Sequence, residues 1–175
     1  MDEIEIVDYD PHWPTMFTEE EALLRRALDA DLLIGVEHCG STSISGMAAK
    51  PIIDILIAVR SLEEALATVI EPLQRLGYVF WADNPKTDRM FFVKGMPPYG
   101  ARRTHHVHIT EPTGEQWLKY LAFRDYLRIH PGQAQRYQTL KRDLAMTHPT
   151  DREAYTDAKT AFVEEILTKA KPESF

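Results

Sequence analysis

Two stretches of this chain hold residue types that could do chemistry together. In the first, Val36 to Val59, a short apolar run breaks at Gly40-Ser41-Thr42-Ser43, and a second apolar run carries Asp54. A carboxylate inside a strand buried on both faces is costly unless it is paired or binds a cation. Gly40 allows a sharp turn, and the hydroxyls and amides after it can hold an anion. A phosphate cradle at one strand end would then face a carboxylate on a nearby strand, an arrangement suited to metal-assisted chemistry on a nucleotide. In the second stretch, Thr104-His-His-Val-His-Ile-Thr110, strand alternation puts His106 and His108 on one face and Val107 and Ile109 on the other. Same-face neighbours lie roughly 7 Å apart at Cα, close enough to ligate one ion or contact one phosphate chain. His105 points the other way. His38, just before the glycine turn, reads either as a packing residue or as a further ligand at the edge of the site. Lys50 and Arg89 are the cations expected to neutralise negative charge there.

The elements that must position these residues follow from apolar spacing. Leu32 to His38 reads as the strand that enters the glycine turn, preceded by a short opening strand at Ile4 to Val7. Pro14 suits the first turn of a helix that runs through Leu28, with Glu19, Glu20 and Glu21 on a solvated face. Ser61-Leu-Glu-Glu64 is a capping box, followed at helical spacing by Leu62, Leu66, Val69, Leu73 and Leu76, with Gly77 as the stop. Tyr78 to Trp81 and Arg89 to Lys94 read as strands, the second with Arg89, Phe91 and Val93 on one face. Beyond Thr110 the chain is helical, with capping boxes at Thr113-Gly-Glu-Gln116 and Thr150-Asp-Arg-Glu153. Two Tyr-x-x-x-Lys pairs, Tyr137 with Lys141 and Tyr155 with Lys159, put an aromatic ring and a cation on one helix face. The plainer reading of both is an exposed pair covering apolar surface.

Size and charge narrow the function classes. With 175 residues the chain is long enough for one domain with a real core. A net charge of -7 argues against general affinity for nucleic-acid backbone or anionic membrane. Cys39 is the single cysteine, which leaves no internal disulfide and no cysteine zinc site. The acidic start, Met1-Asp-Glu-Ile-Glu, lacks the order of a signal peptide, and no apolar run reaches the length of a membrane span. A cytoplasmic protein without a membrane partner is expected, its oligomeric state unassigned.

Gly40-Ser41, a spacer, then Asp54 flanked by apolar residues resembles the signature of the nucleotidyltransferase superfamily. His38-Cys-Gly-Ser-Thr-Ser43 and Ala49-Lys-Pro-Ile-Ile-Asp54-Ile more closely resemble the GrpB family within it, as do His105 to His108 and Leu121 to Arg128. The resemblance implies an α+β fold, a nucleotidyltransferase-like mixed β-sheet flanked by helices with a helical C-terminal part. It divides the chain into a core at 1–112 and a helical region at 113–175 packed on the same domain. It also implies catalytic residues Asp54, His106 and His108, and phosphate or substrate contacts from Gly40, Ser41, Thr42, Ser43, Lys50 and Arg89. A divalent metal would sit on Asp54, His106 and His108 with His38 beside them. The superfamily pattern has a second acid two residues after the first, and that position here is Leu56. With histidine in place of the acid, the site would hold Mg²⁺ poorly and suit Mn²⁺ or Zn²⁺ better. The expected partner is a nucleotide or phosphorylated small molecule. Two functions stay open: metal-dependent nucleotidyl or phosphoryl transfer, and a non-catalytic nucleotide-binding module with a degenerate site.

Overall fold

The run Ile53–Val59 (β2) is apolar on both faces except at Asp54, and such a strand belongs inside a sheet rather than at its edge. In the computed structural model, which describes residues 3–170, it is an interior strand. Among those residues a five-stranded sheet forms, in the order β1 (Leu33–Cys39), β2, β5 (His105–Thr110), β4 (Met90–Lys94) and β3 (Tyr78–Phe80). β1 and β2 pair antiparallel, β2 and β5 pair parallel, and β4 pairs antiparallel with both β5 and β3. The parallel pairing sets Asp54 beside His106 and Leu56 beside His108, while Cys39 lies across from Asp54 on the other side.

One face of the sheet holds the main core. Ile53, Ile55, Ile57, Tyr78, Phe92, Val107 and Ile109 pack there with residues of three helices, α1 (Trp13–Ala27), α2 (Leu62–Thr68) and α3 (Ile70–Arg75). Each fully buried Leu, Ile or Phe contributes about 1.5–3 kcal/mol relative to exposure, so this layer is the main source of stability. Glu20 of α1 belongs to it rather than to a solvated face. Its carboxylate is 4% exposed and accepts bonds from Lys94 Nζ at 2.8 and 2.7 Å and from the Tyr78 hydroxyl at 3.0 Å.

The other face carries the two informative stretches, and α4 (Glu115–Ile129) lies over it. Gly35 makes room for α4, since a Cβ there would meet the Trp117 ring at 3.4 Å. α5 (Pro131–Thr147), α6 (Arg152–Asp157) and α7 (Thr160–Ala170) follow. Leu127, Tyr137, Phe162 and Ile166 from these helices form a second, smaller core around Ile44 and Met47. The segment after the glycine turn is therefore held by the C-terminal helices.

Some local expectations shift. The helix after Ser61 is two helices joined at Val69; the Ser61 hydroxyl does accept the Glu64 amide, at 3.2 Å. The later capping boxes are displaced by one residue. Gly114 precedes α4 without a side-chain cap, and Asp151, not Thr150, caps α6 by accepting the Ala154 amide at 2.9 Å. The opening strand reduces to a single bridge between Val7 and Ala49, because the Ile4 amide bonds to the Pro149 carbonyl at 2.7 Å instead.

Candidate functional site

Asp54 is the second residue of β2, and His106 the second of β5. Their parallel register brings His106 Nδ1 to 3.1 Å from Asp54 Oδ1. A carboxylate can only accept, so the proton is on Nδ1 and the lone pair on Nε2. That Nε2 is buried and has no hydrogen-bond partner. The other carboxylate oxygen lies against the glycine turn: a Cβ on Gly40, whose φ is 68°, would sit 2.3 Å from Asp54 Oδ2. Only glycine permits both that backbone angle and that approach. Burial pushes the Asp54 carboxyl up, but the hydrogen bond from His106 and the positive charge nearby outweigh it and hold it below its ordinary value.

Three lysines from separate parts of the chain gather on Tyr155, Tyr137 and the Ala48 carbonyl, near enough for the Asp54 charge to act on them. Lys50 precedes β2, Lys141 lies on α5, and Lys159 sits between α6 and α7. Lys50 Nζ and Lys159 Nζ lie 4.3 and 4.4 Å from the centre of the same Tyr155 ring. Lys141 is 3% exposed, lies 4.8 Å from the Tyr137 ring centre and donates to the Ala48 carbonyl at 2.6 Å. Burial, with repulsion from Lys159, lowers both Lys50 and Lys141 to about 7. Burial lowers Lys159 to about 8, and the Asp54 charge opposes the shift in all three. Tyr155 itself is fully buried with an unpartnered hydroxyl. The Tyr-x-x-x-Lys pairs are thus not surface pairs. Their spacing is legible in the sequence, but their convergence on Asp54 depends on how α5 and α6 fold back, which no local pattern reports.

The other expected site residues divide. His108 shares the face of Asp54 and His106, yet it is 7% exposed and its ring stacks on Phe91 and lies under Tyr120. Burial, reinforced by Arg89, lowers it to about 3. His38 is on the opposite face of the sheet, paired across from Ile55, so it is not at the edge of this site. Its ring stacks on Phe17 at 4.8 Å and its Nε2 meets the Thr42 hydroxyl at 2.9 Å. Strand alternation forbids it from sharing an ion with Asp54. Thr42 is thereby committed, and Ser43 donates to the Gly40 carbonyl at 2.6 Å; neither hydroxyl is available as a phosphate contact. Arg89 precedes β4 at the far end of the sheet face, where it donates to the Tyr120 hydroxyl at 3.1 Å and to Gln116 at 3.3 Å. It anchors α4 rather than facing Asp54. Arg124, which sequence reasoning left out, ties α4 to β1 through Glu37 at 2.7 Å and the His38 carbonyl at 3.0 Å. Among the described residues no three His, Cys, Asp or Glu side chains converge to hold a metal. No described helix is long and apolar enough to cross a membrane.

The whole-chain comparisons agree with this architecture. The pattern of the GrpB protein family matches residues 3–169. This chain belongs to the GrpB family. It is similar to a UPF0157 protein of Pseudomonas aeruginosa, 49% identical over 97% of this chain and 68% of that one. The UPF0157 protein YqkA of Bacillus subtilis is 40% identical over 96% of this chain, which spans about half, 47%, of that relative. The glutamate-rich protein GrpB of Alkalihalophilus pseudofirmus is 34% identical, over 95% of each chain. The crystal structure of conserved protein GrpB from Enterococcus faecalis superposes with a TM-score of 0.84 at 37% identity, covering 95% of this chain and 96% of that one.

Two outcomes follow for the GrpB site. Gly40→Ala should destabilise the fold by about 2–4 kcal/mol in urea denaturation, through backbone strain plus the overlap with Asp54. Adding Asp54→Ala should recover part of that loss, since the overlap disappears while the strain stays; strict additivity would show that the Asp54 contact is irrelevant. The second outcome is a pH profile. Lys50, Lys141 and Lys159 bind protons more weakly in the folded chain than at their ordinary value of 10.5. Between about 7 and 10.5 the unfolded chain therefore holds more protons, and stability rises with pH across that window. The melting temperature should climb from pH 7 to 9 in the parent protein and be flatter in Lys141→Met.

Proposed function

We propose that this protein binds a phosphorylated small molecule, a nucleotide first among them, over Asp54 and His106, and transfers its phosphoryl or nucleotidyl group. The observation that supports this reading most is the Asp54–His106 pair, whose Nε2 is buried and unpartnered. Asp54 fixes the ring and its tautomer, so Nε2 offers a lone pair that can take the proton of an acceptor hydroxyl. As that hydroxyl attacks phosphorus, the bond from phosphorus to the departing phosphate, pyrophosphate or nucleoside phosphate breaks, and the lysine ammoniums stabilise the negative charge that grows on the phosphoryl oxygens and on the leaving group. The superfamily resemblance of the Gly40-Ser41 turn and Asp54 points to the same class of ligand.

One observation favours the binding-module reading instead. Leu56, at the position of the second acid, is fully buried beside His108, so the paired carboxylates of a two-metal clamp are absent from this strand. The two readings share a ligand and differ in turnover. A thermal-shift screen of nucleotides and sugar phosphates identifies the ligand, because a compound at a hundred times its Kd adds about 2.7 kcal/mol to stability. With that ligand, His106→Gln should retain binding within about threefold and lose turnover by about 100-fold or more. Turnover unaffected by His106→Gln would remove the general base. Binding with no turnover in the parent protein would leave the module.

A further inference from the structure

The superfamily signature brings with it a divalent metal, and the donor set of this chain does not fit one. Asp54 is the carboxylate of the site; the second acid is a buried leucine, and the described residues supply no three-ligand group. Its Oδ1 is bonded to His106 Nδ1, and its Oδ2 lies against Gly40. His108 is enclosed by Phe91 and Tyr120, and His38 is on the far face of the sheet. A cation arriving at Asp54 would also enter the field of three ammonium groups, each close enough for the Asp54 charge to act on it.

We infer that Lys50, Lys141 and Lys159 take the place of the metal, as a clamp that holds a phosphate group of the ligand directly, without a divalent ion. This rests on the phosphate-ligand reading above. With all three protonated, three ammoniums against one carboxylate leave a surplus of two positive charges, which the dianion of a phosphate group matches. Among the described residues no ion pair joins any of the three lysines to a carboxylate: Lys141 bonds to the Ala48 carbonyl, and Lys50 and Lys159 lie over the Tyr155 ring. Lys50 and Lys159 share the Tyr155 ring, and Lys141 is held by Ala48, two residues before Lys50. The cluster is therefore assembled from the loop before β2, from α5 and from the α6–α7 junction, and it is preorganised on aromatic faces. Burial of lysines without partners opposes stability, and a bound polyanion would relieve it. Recognition then falls on the phosphate rather than on the base.

The test is calorimetry on the full chain with ATP, AMP and inorganic tripolyphosphate, each in chelator, in Mg²⁺ and in Mn²⁺. ATP, AMP and tripolyphosphate should all bind in chelator. Lys159→Gln, at a half-buried junction where its side chain makes no hydrogen bond among the described residues, should weaken ATP by about tenfold, and Lys141→Met by at least as much if it folds. Asp54→Asn removes the one negative charge facing the clamp and should tighten ATP by about threefold. Binding that requires Mg²⁺ or Mn²⁺, or that Asp54→Asn abolishes, would overturn the metal-free clamp and leave the phosphate-ligand reading standing. ATP binding unchanged by both Lys159→Gln and Lys141→Met would overturn the lysine clamp. No binding of any of the three compounds under any of these conditions would bring down both.

Discussion

The carboxylate of Asp54 is the constraint on which the rest of the site depends. A charge at the head of a buried strand has to be compensated from every side, and each neighbour is fitted to that need. Gly40 gives up a side chain so that the turn can pass against Oδ2. The parallel register of β2 and β5 delivers His106 to Oδ1. The helices beyond Thr110 bring lysines toward the same charge. The two faces of the sheet are consequently unlike: one is an apolar layer against α1, α2 and α3, the other a polar floor under α4 and the helices that follow.

Charge balance in the chain as a whole gives little indication of the field in the site. The protein carries a net charge of -7, yet its most enclosed charges near Asp54 are lysines. Buried, unpaired ammoniums work against stability, and a fold keeps such groups when something outside the fold makes use of them. Aromatic rings offset part of the cost: Tyr155 serves Lys50 and Lys159, and Tyr137 serves Lys141. Tyr137 also packs with Ile44 and Met47, which links the lysine-bearing helix to the segment after the glycine turn. The C-terminal helices are therefore part of the site and not an appendage to it.

A sheet of this kind hosts different chemistries according to the residues placed on it. On this sheet Leu56 occupies the place where the superfamily signature has a second acid, and lysines from the loop before β2, from α5 and from the α6–α7 junction gather nearby. His106 Nε2, in a ring oriented by Asp54, is buried without a hydrogen-bond partner.

Local pattern was enough for the five strands of the sheet, most helices and the family. Period-two alternation put His106 and His108 on one face, and the interruption of an apolar run by one acid singled out Asp54, because such a charge is too costly to be incidental. Near-neighbour rules reach a few residues, and they failed where longer contacts decided. His38 was assigned to the site by its nearness in sequence to Gly40, but strand parity turns its ring toward Phe17. Ser43 and Thr42 had the composition of a phosphate cradle, and their hydroxyls are used inside the turn. Arg89 lay on the expected face, but four residues of strand carry it about 13 Å from the level of His106. Lys141 and Lys159 were visible as Tyr-x-x-x-Lys spacings, and nothing in a helix-surface pattern distinguishes a solvated lysine from a buried one. That distinction is made by the second core, which folds α5, α6 and α7 back over the sheet, and it exists only once Ile44 and Met47 meet Phe162 and Ile166.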